Sequence, residues 1–171
     1  MPNYLTIDAL KQRLHFDGDE DDTVMTGLLD AAEAYIGDPD NGILRRPVVV
    51  EAFTETFNSL SDVRLRFPDG ATVTSVTYTD FDGAEQALGA VYSLIGDALV
   101  LLAGEVWPQH KSPVTVIYTA GFVTIPEPII SAGYFYAGTL YEGQANASMM
   151  KPEMLRQLMC QMLAGYRRST L

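Results

Sequence analysis

Leu5-Thr6-Ile7-Asp8-Ala9-Leu10, then Asp17-Gly18-Asp19-Glu20-Asp21-Asp22, then an apolar-striped run ending at Tyr35-Ile36, decide how the chain folds. They spell a short helix, a knot of acids and a second helix. Thr6 stands where its hydroxyl can cap the first helix, and Leu5 with Leu10 has the spacing of a hydrophobic staple. Asp21 or Asp22 suits the cap of the second helix. The remaining acids lie near its positive end, where each is worth about 0.3–1 kcal/mol. The acids start a helix and need no ligand to do so, which suits assembly better than catalysis.

A calcium loop is the rival reading, because Asp17, Asp19 and Asp21 alternate as the first three ligands of an EF-hand do. The remainder of the loop fails: its sixth position, which needs Gly, is Asp22, and its twelfth, which needs a bidentate Glu, is Leu28. No metal site is expected, and nothing else in the sequence asks for a cofactor.

The 171 residues suit one domain or two small ones with an apolar core of their own. Cys160 falls among Leu158, Met159, Met162 and Leu163 and reads as a small buried hydrophobe, with no nearby His or basic residue that obviously activates it. No stretch approaches the roughly 18 apolar residues of a membrane span, and the start lacks the basic and apolar pattern of a signal peptide. A soluble, cytoplasm-made protein with no membrane partner is expected. Twenty-two acids against eleven bases leave a net charge of −11, which argues against gripping nucleic acid through phosphate contacts. Such charge can keep a passing duplex from sticking, within the ~10 Å over which it acts at 0.1 M salt.

After the second helix, Gly37-Asp38-Pro39-Asp40-Asn41-Gly42 breaks the helical pattern. From Pro47 the period becomes two, with strands predicted at residues 48–57, 63–67 and 73–79, then 92–95, 99–102 and 114–118. Pro68-Asp69-Gly70 and Asp80-Phe81-Asp82-Gly83 are turn signals between them. Helical spacing returns at Ile125, with Pro126 and Pro128 at the approach and first turn and an almost wholly apolar run through Ile129, Tyr134, Ala137 and Tyr141. Gly133, Ala137 and Gly138 let another backbone come close. A last helix starts near Pro152 and carries Met154, Leu155, Leu158, Met159, Met162 and Leu163 before Tyr166-Arg167-Arg168. Burial of those six apolar side chains would contribute about 9–18 kcal/mol gross.

The expected fold class is therefore α+β. A four-helix bundle is formed by the N- and C-terminal helices (residues 1–44 and 123–171), with a small antiparallel β sheet or sandwich inserted at 45–122.

The chain resembles the head-to-tail connector (adaptor) proteins of long-tailed bacteriophages, in the longer variety with a β insert, and the likeness runs nearly end to end. It is carried by Leu5-Thr6 with Leu10-Lys11 and Leu14, by Gly18-Asp19-Glu20-Asp21, and by Leu28-Leu29 with Ala31-Ala32. Ser75-Val76-Thr77-Tyr78 and Asp82-Gly83-Ala84-Glu85-Gln86 follow, then Trp107-Pro108, Val114-Thr115-Val116, Ala120-Gly121-Phe122, Val123 to Pro128, and Tyr141-Glu142. Each is a cap, strand or turn by itself, and their order and spacing make the match. Two departures stand out: Gln144 replaces a basic residue, and the loop at Asp38-Pro39-Asp40 is unlike the usual Thr-Gly-Arg ending.

The resemblance implies a structural, non-enzymatic subunit of the virion neck, made in the host cytoplasm. It implies a homo-oligomeric ring, dodecameric in the virion, beneath the portal protein. That ring extends the DNA channel used in genome ejection, without sequence-specific DNA binding, and receives a neck stopper or tail-completion protein. It also implies that residues 152–171 face the portal. The interface residues expected there are Met154, Leu155, Leu158, Met162, Tyr166, Arg167 and Arg168, and Asp19, Glu20 and Asp22 are candidates to face the lumen.

An enzyme, such as a small hydrolase, has little to work with: His15 and His110 stand alone, and no Gly-x-Ser-x-Gly, His-Glu-x-x-His or phosphate-binding loop is present. Asp80 and Asp82 form a carboxylate pair in sequence, yet before Gly83 their commoner use is bonding turn amides. A carbohydrate- or protein-binding β module is the other alternative, with Trp107 as a stacking platform; a Trp beside Pro at a strand boundary more often closes a core edge.

Overall fold

The computed structural model describes residues 4–145 and 151–168. They form two compact units, one from residues 4–49 with 123–168 and the other from Val50–Phe122. Helices and antiparallel sheets are both present, so the class is α+β.

The first unit is helical: α1 (Ile7–Leu14), α2 (Asp22–Gly37), α3 (Glu127–Ala145) and α4 (Pro152–Met162). The main pairing is α2 with α3; α1 touches both, and α4 rests on α3. Leu5, Leu10, Met25, Leu29, Ala32, Tyr134 and Ala137 share one core cluster, as the 3.6-residue spacing of their apolar positions requires. Leu5 and Leu10 both belong to it, but Thr6 does not cap α1 with its hydroxyl. Its backbone N–H instead donates to the Tyr134 hydroxyl at 2.9 Å, and its Oγ1 lies 3.3 Å from the same oxygen. A tertiary partner has taken the group that local sequence reserved for the helix end. Asp21 likewise stands at the N-cap of α2 without a side-chain cap bond, because its carboxylate accepts the Tyr141 hydroxyl at 2.6 Å.

The small residues of α3 have a specific use at Gly133. A Cβ built there would lie 2.7 Å from Leu5 Cδ1, so the missing side chain is the notch that Leu5 fills. In α4, Leu155, Met159 and Leu163 recur every four residues and are 9%, 0% and 0% exposed, while Met154 and Met162 on the adjoining stripe are 62% and 37% exposed. Three buried side chains rather than six give about 4.5–9 kcal/mol gross. The helix is shorter than its apolar pattern and passes into a turn at 163–166. Arg168 N–H then donates to Leu44 O at 3.0 Å, joining the end of the described chain to the loop after α2.

The second unit has strands β1 (Glu51–Phe57), β2 (Thr72–Thr79), β3 (Glu85–Ala87), β4 (Tyr92–Ile95), β5 (Ala98–Leu101) and β6 (Lys111–Ala120). One antiparallel sheet runs β1-β6-β2-β3, and β4-β5 forms a separate hairpin. β6 is the central rung, with Val114, Val116, Tyr118 and Ala120 all at most 2% exposed. They pack with Val63, Leu65, Phe67, Val76 and Leu99.

Two sequence expectations change here. Residues 63–67 alternate as a strand should, with Val63, Leu65 and Phe67 buried and Arg64 and Arg66 exposed. They nevertheless make only an isolated bridge, Arg64 with Ala98, because period-two burial needs an extended chain over a core and not a full ladder. Conversely, β3 is fully exposed and so has no hydrophobic alternation to announce it; it is fixed by pairing with β2.

Candidate functional site

The acidic knot is organised by one cation. Lys11 on α1 lies 2.7 Å from Asp19 and 2.5 Å from Asp22, across the α1–α2 turn. Its hydrogen bonds to Asp19 and Asp22 push the ammonium pKa up, and the same contact holds Asp19 below the usual carboxylate range. Asp21 is taken by Tyr141, whose pKa rises mainly through that hydrogen bond. Asp17, Asp19 and Glu20 face outward, with the Asp19 side chain 90% exposed. A lysine in the middle of the cluster answers the charge that a calcium loop would reserve for the ion.

A second polar constellation holds the start of the described chain. Glu33, a carboxylate on α2 that is only 6% exposed, accepts the backbone N–H groups of Tyr4 and Leu5 through the same oxygen, each at 2.7 Å. Together with the Thr6–Tyr134 bond, this satisfies three consecutive amides by side chains of α2 and α3. Burial raises the Glu33 pKa, and the two amide bonds oppose that rise. Tyr4 is raised too, by burial first and by Glu33 second. Sequence reasoning missed Glu33, since an acid at one helical position carries no mark of burial.

The C-terminal residues singled out from sequence divide by position. Leu155 faces its own subunit. Met154, Leu158 and Met162 follow one another at four-residue spacing on a stripe that is exposed or half-buried, the arrangement of a helix face able to meet a groove. Arg167 goes elsewhere: with Arg45, Arg156, Tyr35, Asn41 and Cys160 it lines a pocket of ≈ 190 Å³ between α4 and the loop after α2. Cys160 is half-buried and has three arginines on the walls around it. Sequence placed it among apolar neighbours because Arg45 is remote in the chain and Arg156 lies one helical turn away.

In the β unit the other candidates have structural work. His110 Nε2 accepts the Leu60 N–H at 3.2 Å, and its Nδ1 lies 2.9 Å from Pro108 O, so the proton belongs on Nδ1. In the helical unit, His15 is exposed and caps the end of α1 in the left-handed region at φ 53°. Asp80 accepts the N–H groups of Asp82 and Ala84 at 3.0 and 2.9 Å, and Gln86 Nε2 at 3.0 Å; led by the Gln86 bond, these hold its pKa low. Trp107 packs half-buried against the β core. Among the described residues there is no cluster of three or more metal-ligating side chains, and no helix is long and apolar enough to cross a membrane.

The chain matches no protein-family model, and no curated protein matches it. Among solved structures it is similar to a chain from the neck of a native GTA particle, computed with C12 symmetry. The match has a TM-score of 0.63 at 19% identity and covers 98% of this chain and 90% of the other. At that identity the likeness establishes a shared fold, and it extends over both units rather than over one of them.

Proposed function

We propose that the protein is a structural subunit of the neck of a phage-like particle, a head-to-tail connector that assembles into a ring. The observation that carries this reading is the whole-chain fold likeness to a chain of a C12-symmetric neck, at 98% coverage. The connector motifs from Leu5-Thr6 to Tyr141-Glu142 support it independently. Twelve copies form the ring, seated beneath the portal protein, and the next neck or tail-completion protein docks below. DNA passes through the lumen unread, in keeping with a net charge of −11.

The four helices act as one bundle, and residues 152–171 face the portal. Within that stretch the exposed stripe of Met154, Leu158 and Met162 supplies the contact, since flexible thioethers fit irregular grooves. A ring contact is heterologous, so two different faces of one subunit must fit each other and the rotation must close. The free chain is mainly monomeric or self-associates weakly, and the portal raises its local concentration.

Electron microscopy of the particle neck tests the proposal directly. A closed ring of this subunit under the portal is the expected result; particles that lack the protein and still join heads to tails would overturn it.

A further inference from the structure

Arg45, Arg156 and Arg167 bring three of the chain's eleven cationic side chains to the walls of one ≈ 190 Å³ pocket. None of the three forms an ion pair with a described residue, and no carboxylate of a described residue lines the pocket. Asn41 and Tyr35 add polar groups to the same walls. Arg45 is held there in the left-handed backbone region at φ 53°, which few non-glycine residues occupy. Three like charges on the walls of one pocket, with no answering anion among the described residues, repel one another. In a chain of net charge −11, such a concentration of guanidinium groups is the natural receptor for carboxylates, which it grips by paired N–H donors.

The best-matched anion is on the same chain at the far end of α2. Asp17, Asp19 and Glu20 are exposed on the α1–α2 turn, and Lys11 braces that turn from within by its contacts to Asp19 and Asp22. The turn precedes the N-terminus of α2, whereas Tyr35 and the 41–45 loop lie at its C-terminus. With 16 residues in α2, the two sites are roughly 24 Å apart. One copy cannot satisfy itself across that span, but it can satisfy a neighbour.

We infer that the arginine pocket beside α4 receives the acidic Asp17–Glu20 turn of a second copy of this chain. The contact is head-to-tail, joins two different faces, and therefore propagates from copy to copy. It rests on the ring reading above and names the two faces that reading requires. It also gives Asp19 and Glu20 a lateral neighbour in place of a lumen position. A DNA duplex is a poorer occupant, because the pocket admits a side chain or two and the surrounding charge opposes a polyanion.

Cys160 already lines the pocket, so one substitution makes the contact covalent. Under mild oxidation of the concentrated full-length chain, Glu20→Cys is expected to give a ladder of dimers, trimers and higher species on non-reducing gels. Adding Cys160→Ser should abolish it. Arg156→Glu with Arg167→Glu should cut ladder yield about tenfold, and Asp17→Arg with Asp19→Arg in the same chain should restore it. Circular dichroism checks that each variant folds.

Dimers alone that survive Cys160→Ser would overturn the proposal, as would a ladder indifferent to arginine reversal. Duplex DNA binding that is lost on arginine reversal would also overturn it, reassigning the pocket to phosphate. Rings seen in the particle neck together with no ladder would reject this contact and leave the connector reading standing. A ladder with no ring in any neck would do the reverse.

Discussion

Replacing Glu33 tests whether the first residues of the described chain are held by a buried carboxylate. Its Oε1 accepts both the Tyr4 and Leu5 amides at 2.7 Å, and the Leu5 amide is fully buried there. Glu33→Ala removes the acceptor from both. A buried donor left unsatisfied costs about 1–3 kcal/mol, and a half-buried one that water can reach costs less. The sum is about 2–4 kcal/mol, capped by the free energy needed to undock residues 4–6. Thermal unfolding should fall by an amount on the order of 10 °C for a chain this size. Amide exchange at Leu5 and Thr6 should accelerate more than exchange in β6.

Glu33→Gln keeps an oxygen in the same place and loses only the charge, so it separates geometry from titration. The Glu33 pKa is raised by burial, so the folded state holds a proton more readily than the unfolded chain. Its contribution is then fully present below the ordinary Glu pKa and is lost as pH rises through the folded value. The stability difference between wild type and Glu33→Gln should shift in favour of Gln across that window, and be flat above it. A Glu33→Ala variant melting with wild type, and exchanging no faster at Leu5, would refute the clamp.

Three further outcomes are expected. Leu163→Ala, at the fully buried C-cap of α4, should cost about 2–5 kcal/mol in chemical denaturation, whereas Met154→Ala at 62% exposure should leave stability unchanged within about 0.5 kcal/mol. Tyr118→Phe removes a hydroxyl that donates to Glu55 and accepts the Phe67 amide; it should cost about 1–3 kcal/mol and loosen exchange at Phe67. Asp80→Asn should remove the part of the pH dependence that Asp80 supplies. Its pKa is lowered in the fold, so that stability is present above the ordinary Asp range and lost as pH falls through the folded value, readable by NMR titration of the 80–84 turn.

Helix existence and order were legible because Pro126, Pro128 and Pro152 punctuate the chain and apolar spacing names the buried faces. The exchange to period two after Pro47 announced the β unit, and Asp80-Phe81-Asp82-Gly83 its turn. What escaped depended on partners distant in sequence. Thr6 reads as a cap until Tyr134 is known to stand beside it. Val63, Leu65 and Phe67 show burial, and burial does not distinguish a ladder strand from an extended segment with one bridge. Glu33 has the composition of a solvent-facing acid, and only its two amide donors explain how it is tolerated inside. The arginine pocket unites residues on the loop after α2 with others on and beyond α4. No local pattern joins them, while the acids opposite were plain because they are consecutive.

The nesting of one unit inside the other sets an order on the ribosome. Every strand of Val50–Phe122 has been synthesised before Glu127 begins α3, so the inserted unit can close while its host is unfinished. Its own closure waits for β6, which pairs with both β1 and β2 and is translated last of the six. Meanwhile α1 and α2 carry Leu10, Met25 and Leu29 out of the ribosome with no α3 to cover them, an interval of exposed apolar surface that invites aggregation or chaperone capture. Moving the insert to one end of the chain would shorten that interval, and released chains that end just after Phe122 would carry a folded β unit behind two uncovered helices.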